Sequence, residues 1–328
     1  MNDMKLGVIG LGSIAESMMI LFRLTRGVRV TALCDIDSSK LDRHSRRFKK
    51  AKAYIDYNEL LADDGVDCVY IALPHWLHDP VMEAAILHGK HIFCEKPLTT
   101  DAGNGKRIME LAGEAGIKVA VNYQYRYDRN CYSAVQAIRQ GLLGDIRYVR
   151  CYVPWSRDIT YFTKAPWHGS LAKSGGGSLI TQGSHFLDII LWALDCRLKD
   201  VNAILGKFRF PESETEDFSC FQAVMENGTI LQFACTMAEQ KERPAVMEFI
   251  GDKGTISYRK VHGSSMSFHG IKKMKAKPGG LVIHPAQGSL IGFRDWVNKE
   301  IPHLCTGDDS LAVLEEIAKI YEDGDRRE

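Results

Sequence analysis

The chain has 328 residues, more than one hydrophobic core usually serves, so two domains are expected. Hydrophobic residues make up 45% and charged residues 25%, and Lys+Arg 42 against Asp+Glu 41 leaves a net charge of +1. That balance fits a globular protein and excludes a long-range field able to recruit nucleic acid or an anionic membrane.

No apolar run reaches the roughly 18 residues of a membrane helix. The chain passes from Met1 into a strand-like segment rather than a signal peptide. The nine cysteines form no CxxC pair, and Cys34, Cys68, Cys94 and Cys235 fall inside apolar strands. This usage predicts reduced core thiols in a cytoplasm, with no metal site and no disulfide frame.

Lys5 to Ile9 reads as a first strand, followed by Gly10-Leu11-Gly12-Ser13-Ile14-Ala15 and a helix from Glu16 to Leu24. In this G-x-G-x-x-(G/A) turn, Gly10 permits the tight bend and Gly12 lets a pyrophosphate approach the backbone. Ala15 lets helix and strand pack closely, and the free N–H groups at the helix start, with Ser13 and Ile14, hold phosphates. Val28 to Cys34 is a second strand ending at Asp35, about twenty residues after Ala15, where a carboxylate takes the adenosine-ribose hydroxyls. Asp35, with Asp37 beside it, repels a 2′-phosphate and favours NAD; Ser38, Lys40 and Arg43 leave NADP open. A bland role for Asp35, as a cap on the helix from Ser38 to Phe48, competes with this reading.

The alternation continues with a helix at Tyr57–Ala62, a strand at Cys68–Ala72 and a helix at Pro80–His88. A strand inside His91-Ile92-Phe93-Cys94-Glu95-Lys96-Pro97, a helix at Asp101–Ala112 and a strand at Lys118–Val121 complete it. This spacing predicts a doubly wound parallel sheet. Ligands of such sheets bind beyond the carboxyl ends of the strands. Glu95 and Lys96 sit at one such end, and Leu73, Pro74 and His78 follow another, so all are expected along the cofactor cleft. His78 serves equally well as a helix N-terminal residue without a ligand.

After Val121 the pattern changes. Tyr123 to Tyr127 is dense in aromatics, and a helix at Asn130–Gln140 precedes a strand at Ile146–Pro154. Strands of period-two alternation follow at Val201–Phe210, Asp217–Met225, Thr229–Met237, Val246–Ile250 and Thr255–Arg259, with hairpin turns at Glu226–Gly228 and Gly251–Gly254. Helices at Leu290–Lys299 and Leu311–Tyr321 close the chain. The expected architecture is α/β followed by α+β: residues 1–122 form the parallel-sheet domain, and 123–328 an open-faced, mostly antiparallel sheet with covering helices. The main covering helix is expected over Ser178–Leu194, behind Gly175-Gly176-Gly177, with Thr181, His185 and Asp188 on one face.

Gly10-x-Gly12-x-x-Ala15, Glu95-Lys96-Pro97 and Gly175-Gly176-Gly177…His185-x-x-Asp188, in this order, resemble the Gfo/Idh/MocA oxidoreductases over nearly the whole chain. The resemblance implies a Rossmann domain joined to a sheet domain whose open face makes a homodimer or homotetramer. It implies NAD(P)-dependent hydride transfer on a secondary alcohol or ketone of a sugar, nucleotide sugar or cyclitol, with Lys96 and His185 as the catalytic pair. Tyr123, Arg126 and the Tyr161–His168 loop, including Trp167 and His168, become candidate substrate contacts, joined by Thr181 and Gln182.

The family commonly carries an Asp four residues before its His, where this chain has Thr181. A threonine can hydrogen-bond an alcohol but holds no charge. Thr181-Gln182 and Trp167-His168-Gly169-Ser170 look like the branch acting at C3 of nucleotide-linked amino sugars. Either His185 or a Lys96 of lowered pKa could serve as the base. Two rival functions share the cofactor fold: NAD-assisted glycoside hydrolysis and non-catalytic regulation through bound NAD.

Overall fold

The computed structural model describes residues 3–279 and 282–325, and the chain divides into two compact units. The first comprises 1–124 with 281–311, and the second 125–280 with 312–328. The domain limits expected at 1 and 328 lie outside the described residues.

In the first unit, β1 (Met4–Ile9), β2 (Val28–Cys34), β3 (Lys52–Tyr54), β4 (Cys68–Ile71), β5 (His91–Cys94) and β6 (Val119–Val121) form one sheet of order β3-β2-β1-β4-β5-β6. Every pairing is parallel. This is the doubly wound dinucleotide-binding order, with the strand direction of growth reversing at β1. Helices α1 (Ser13–Leu24), α2 (Ser38–Ser45), α3 (Tyr57–Leu61), α4 (His78–Leu87) and α5 (Ala102–Glu114) make the crossovers. β4 is buried at every residue, as expected of a strand covered on both faces.

The second unit opens with α6 (Arg129–Arg139), whose N-cap Asp128 accepts from the amides of Asn130 and Cys131. Its sheet comprises β7 (Ile146–Pro154), β8 (Leu198–Gly206), β9 (Phe218–Met225), β10 (Ile230–Thr236), β11 (Ala245–Gly251), β12 (Thr255–Lys260) and β13 (Ser264–His269). The order is β13-β12-β11-β7-β10-β9-β8, antiparallel except between β7 and β10. Val149, Cys151 and Val153 of β7 face inward, while Arg150 and Tyr152 face out. Short helical turns α7 (Thr160–Thr163) and α8 (Leu171–Ser174) precede α9 (Ser184–Leu194).

Several elements differ from expectation for identifiable reasons. The helix α10 (Pro285–Lys299) belongs to the first unit rather than to the 123–328 domain. Its Ala286, Leu290 and Phe293 complete the core around Phe22, Tyr70 and Phe93, with Phe93 and Phe293 stacked at 5.3 Å. Each such side chain is worth about 1.5–3 kcal/mol of burial, which decides where the segment goes. The last helix, α11, runs Gly307–Asp325 and starts four residues before the Leu311 expected from the pattern.

The strand expected to reach Phe210 stops at Gly206, because Asp217, 1% exposed, gathers the amides of Phe208, Arg209 and Phe210 at 2.7–3.0 Å. β3 is three residues long with two of them exposed, and β13 lies at the sheet edge; neither has the apolar alternation that marks a strand.

Candidate active site

The glycine turn between β1 and α1 is shaped for close approach. Gly10 has φ +87°, and a Cβ there would stand 2.3 Å from the Ala72 carbonyl oxygen, so only glycine fits. At Gly12 a Cβ would meet nothing within 4 Å. Gly12 is the N-cap of α1, and no side chain caps that end. Its first amides therefore face open space with the positive end of the helix dipole, the arrangement that receives a phosphate. Ser13 and Ile14 are exposed beside them.

Asp35 ends β2 and is tied into the turn. One carboxylate oxygen accepts from the Leu11 amide at 2.7 Å and the other from the Asp37 amide at 2.9 Å. The Lys40 ammonium lies 3.5 Å away. The helix-cap role weighed for Asp35 belongs instead to Asp37, which accepts from the Ser39 amide at the start of α2. Each Asp35 oxygen keeps a second acceptor direction for a hydroxyl.

At the end of β5, Glu95 accepts from the Tyr70 hydroxyl and the Asn122 amide, each at 2.6 Å, and burial raises its pKa above the ordinary carboxylate value. Glu95 thus braces the strand end from which Lys96 projects; the Lys96–Pro97 peptide is cis. His78, expected along the cofactor cleft or as a helix N-terminal residue without a ligand, is the first residue of α4. Its ring is fully buried, with Nδ1 2.8 Å from the Pro97 carbonyl and Nε2 3.0 Å from the Leu73 carbonyl. Burial favours the neutral ring, which can donate to only one of these carbonyls, so the imidazole sits between the two loops that carry Leu73-Pro74 and Lys96-Pro97. Tyr123, just after β6, is 1% exposed.

In the second unit, the stretch expected as one helix over Ser178–Leu194 begins with a π-helical turn at Leu179–Gly183. Such wide turns inside α-helices are frequent at functional sites. Thr181 donates from its hydroxyl to the Gly177 carbonyl at 2.6 Å, the i−4 back-bond of a mid-helix threonine. The start of the turn is held by Glu216, 6% exposed. Its carboxyl accepts from the Gly177 amide at 2.7 Å, the Leu179 amide at 2.9 Å, the Tyr321 hydroxyl at 3.1 Å and the Ser178 hydroxyl at 3.3 Å. Burial nevertheless pushes the Glu216 pKa up to about 7.

The triple glycine follows from this packing rather than from flexibility. A Cβ on Gly177 would stand 1.8 Å from the Glu216 carbonyl oxygen, and one on Gly176, at φ +143°, 2.2 Å from the Tyr321 hydroxyl.

His185, at the head of α9, is 7% exposed and stacks on Tyr125 with ring centroids 4.8 Å apart. Asp188, expected on the same polar face, is fully buried and forms a bidentate pair with Arg126, whose Nη2 lies 2.7 Å from Oδ1 and whose Nε lies 3.1 Å from both oxygens. The Arg126 guanidinium also lies over the Trp192 ring at 5.0 Å. Arg126, expected to contact substrate, and Asp188, expected on the site face, thus pair with each other and link α9 to the segment that carries Tyr125.

Tyr161, His168 and Trp167 form a stack, at 4.0 Å between the first pair and 3.8 Å between the second. Thr181 hydrogen-bonds the Tyr161 phenol. Gln182 is 2% exposed, and neither of its amide atoms finds a hydrogen-bond partner among the described residues. All nine cysteines are free, and no His/Cys/Asp/Glu cluster among the described residues could hold a metal. No described helix is long and apolar enough to cross a membrane.

Sequence reasoning missed Trp155 and Arg157, which join this aromatic patch, because a Trp and an Arg around the end of an ordinary strand carry no motif. It also missed Glu216. The adjacent Glu216-Asp217 pair at the head of an apolar strand was the available signal, since two carboxylates there need buried donors.

The model of the family described as "Oxidoreductase family, NAD-binding Rossmann fold" matches residues 4–123, and that of the "GFO/IDH/MocA C-terminal domain" matches 133–257. A dTDP-3,4-didehydro-2,6-dideoxy-α-D-glucose 3-reductase of Streptomyces violaceoruber is 36% identical over 207 residues, 62% of this chain and 58% of that protein. An inositol 2-dehydrogenase of Acidothermus cellulolyticus is 30% identical over 209 residues, 63% of this chain and 58% of that protein. The matched segments thus span little more than half the length of these curated relatives.

Among solved structures, the WlbA dehydrogenase from Bordetella pertussis in complex with NADH and UDP-GlcNAcA superimposes with a TM-score of 0.89 at 22% identity, covering 100% of this chain and 98% of that one. The aldose-aldose oxidoreductase from Caulobacter crescentus gives the same TM-score and identity, covering 100% and 99%. The strand orders, the glycine turn and the matches across both units establish that this chain belongs to the Gfo/Idh/MocA family of oxidoreductases, with an NAD-binding Rossmann fold.

Proposed function

We propose that the protein is an NAD-dependent dehydrogenase that interconverts a secondary alcohol and a ketone on a sugar, nucleotide sugar or cyclitol. The observation that carries the reading is Lys96 at the carboxyl end of β5, in a unit whose glycine turn is open at Gly12. His185 of the second unit, oriented by its stack on Tyr125, supplies the proton chemistry.

The residues present fit the dinucleotide. Gly10, Gly12, Ser13 and Ile14 would hold its pyrophosphate, Asp35 its adenosine ribose, and Leu73 and Pro74 would line its course. The Asp35 charge opposes a 2′-phosphate, so NAD is the cofactor of this reading and NADP the poorer one. Bound NAD supplies the hydride acceptor or donor.

The chain's own groups do the rest. His185 takes the hydroxyl proton, the general-base role that histidine fills most often. The Lys96 ammonium is the donor proposed to hold negative charge as it develops on a substrate oxygen. Thr181 contributes no charge, and its proton is directed to Gly177, so His185 works without the carboxylate common in the family. Gln182 offers a buried amide to a hydroxylated ligand, and Trp167, His168 and Tyr161 form an aromatic wall for it. The C3-specific nucleotide-sugar branch is supported by the reductase relative and by the UDP-GlcNAcA of the WlbA complex.

The outward face of the second sheet carries Tyr152, Ile204, Val224 and Ile230 at 39–58% exposure, which supports a homodimer or homotetramer through that face. Free, mostly buried thiols support a cytoplasmic setting.

Lys96→Ala and His185→Ala should each remove turnover while leaving NAD affinity within a few fold. Near-normal rates in both variants would overturn the assignment.

A further inference from the structure

Among the described residues, Arg157 of the second unit meets no carboxylate. Arg157 lies just beyond β7, anchored through its amide to the Met237 carbonyl at 2.9 Å. Its guanidinium rests over the Tyr161 ring at 5.6 Å and the Trp155 ring at 6.0 Å, and Nη1 donates to the Ser156 carbonyl at 2.8 Å. Arg126, Arg150, Arg197 and Arg243 of the same unit each meet a carboxylate. Half-buried Arg157 meets none among the described residues.

The rings that hold Arg157 also hold the candidate site. Tyr161 is hydrogen-bonded to Thr181 and stacked on His168. Trp155 packs edge-on against Phe186 at 5.9 Å, next to His185 on α9. Tyr125 packs on both Phe186 and His185, and the Arg157 charge is felt at its phenol. Two further groups of this patch are incomplete: the Trp155 indole N–H, in a residue 8% exposed, and the Gln182 amide make no hydrogen bond among the described residues. Buried donors left unsatisfied are costly, and a ligand that completes them removes the cost.

We propose that Arg157 is a specificity-determining residue that pairs with an anionic group of the substrate, so that the enzyme acts on acidic rather than neutral sugar-like compounds. Aromatic faces take up the flat sides of the guanidinium and leave its edge as a rigid fork of N–H donors. That fork matches the paired oxygens of a carboxylate or phosphate, which a lone hydroxyl cannot imitate. The anion could be a carboxylate on the sugar ring or a phosphate of a nucleotide sugar. The inference deepens the dehydrogenase reading and rests on it for the identity of the ligand.

Matched probes separate these sources. Wild type, Arg157→Gln and Arg157→Lys, each saturated with NAD, are titrated calorimetrically with D-glucose against D-glucuronate, and with N-acetylglucosamine against UDP-N-acetylglucosamine. NAD reduction is followed in parallel. At least one acidic member should bind about tenfold or more tightly than its neutral partner. Arg157→Gln should erase that preference without changing the neutral affinity or NAD binding, and Arg157→Lys should keep part of it. A preference in the first pair assigns the carboxylate, and in the second the phosphate. Absence of any acidic preference, or its survival in Arg157→Gln, would overturn the proposal. Turnover of a neutral sugar without acidic preference would sink the Arg157 role and leave the dehydrogenase standing. Arg157-dependent acid binding without turnover of any probe would do the reverse.

Discussion

Replacing Glu216 by Gln is predicted to flatten the pH dependence of stability in the second unit, and the size of the effect follows from burial. The carboxyl is 6% exposed, and its pKa stands at about 7 instead of the ordinary 4.5, because desolvation outweighs the donors around it. The titratable groups facing it are the Tyr321 phenol and the Cys235 thiol, both pushed up by burial, so neither supplies a compensating charge. A pKa raised on folding means that the folded state binds the proton more tightly than the unfolded one. The resulting stability is fully present below pH 4.5 and is lost as the pH climbs through about 7. At about 1.4 kcal/mol per pH decade, the loss comes to about 3 kcal/mol over that window.

Urea unfolding near pH 5 and near pH 8 measures it, and Trp155, Trp167 and Trp192 report on the second unit by fluorescence. Other groups titrate equally in both proteins, so the wild type should lose about 2–3 kcal/mol more than Glu216→Gln between the two pH values. Parallel losses would mean that Glu216 does not titrate in this range, and the burial argument would fail.

The other predictions are simpler. Asp188→Ala strands a buried guanidinium and should cost about 3–5 kcal/mol, read as a lowered thermal midpoint, whereas Arg126→Met with Asp188→Leu should recover most of it. Gly12→Ala should leave the midpoint nearly unchanged yet weaken NAD binding by calorimetry, since the added methyl enters open space meant for the pyrophosphate. Gly10→Ala should instead destabilise the fold, because its methyl meets the Ala72 carbonyl. Asp217→Ala frees three backbone amides and should expose the 207–210 segment to hydrogen exchange.

The first unit was legible because its signals are local. A strand, a glycine turn and a helix repeat with fixed spacing, and Gly10, Gly12, Asp35 and Lys96 each stand where a strand ends. The second unit was legible as a sheet, since Phe233 and Cys235 alternate with polar neighbours, but its site was less so. That Arg126 and Asp188 are partners, 62 residues apart, depends on how α9 packs, and no spacing rule reaches it. For His78, which follows a strand end and opens a helix, the sequence left two roles open, and the position of its ring between two carbonyls depends on packing. The π-helical turn at Leu179–Gly183 is set by long-range anchors at Glu216 and Tyr321, while the sequence around it reads as plain helix. The grouping of α10 with the first unit has a similar cause: its apolar face suits either core, and only packing selects the first.

The central claim, NAD-dependent oxidation of a sugar-like alcohol, is tested most directly by following cofactor reduction across a panel of free sugars, sugar acids, inositols and UDP-linked sugars, with NAD and NADP in parallel. The account predicts turnover of at least one member, with NAD preferred, and loss of that turnover in His185→Ala. Tight NAD binding without reduction on any member, or release of a cleaved glycoside product in its place, would contradict it.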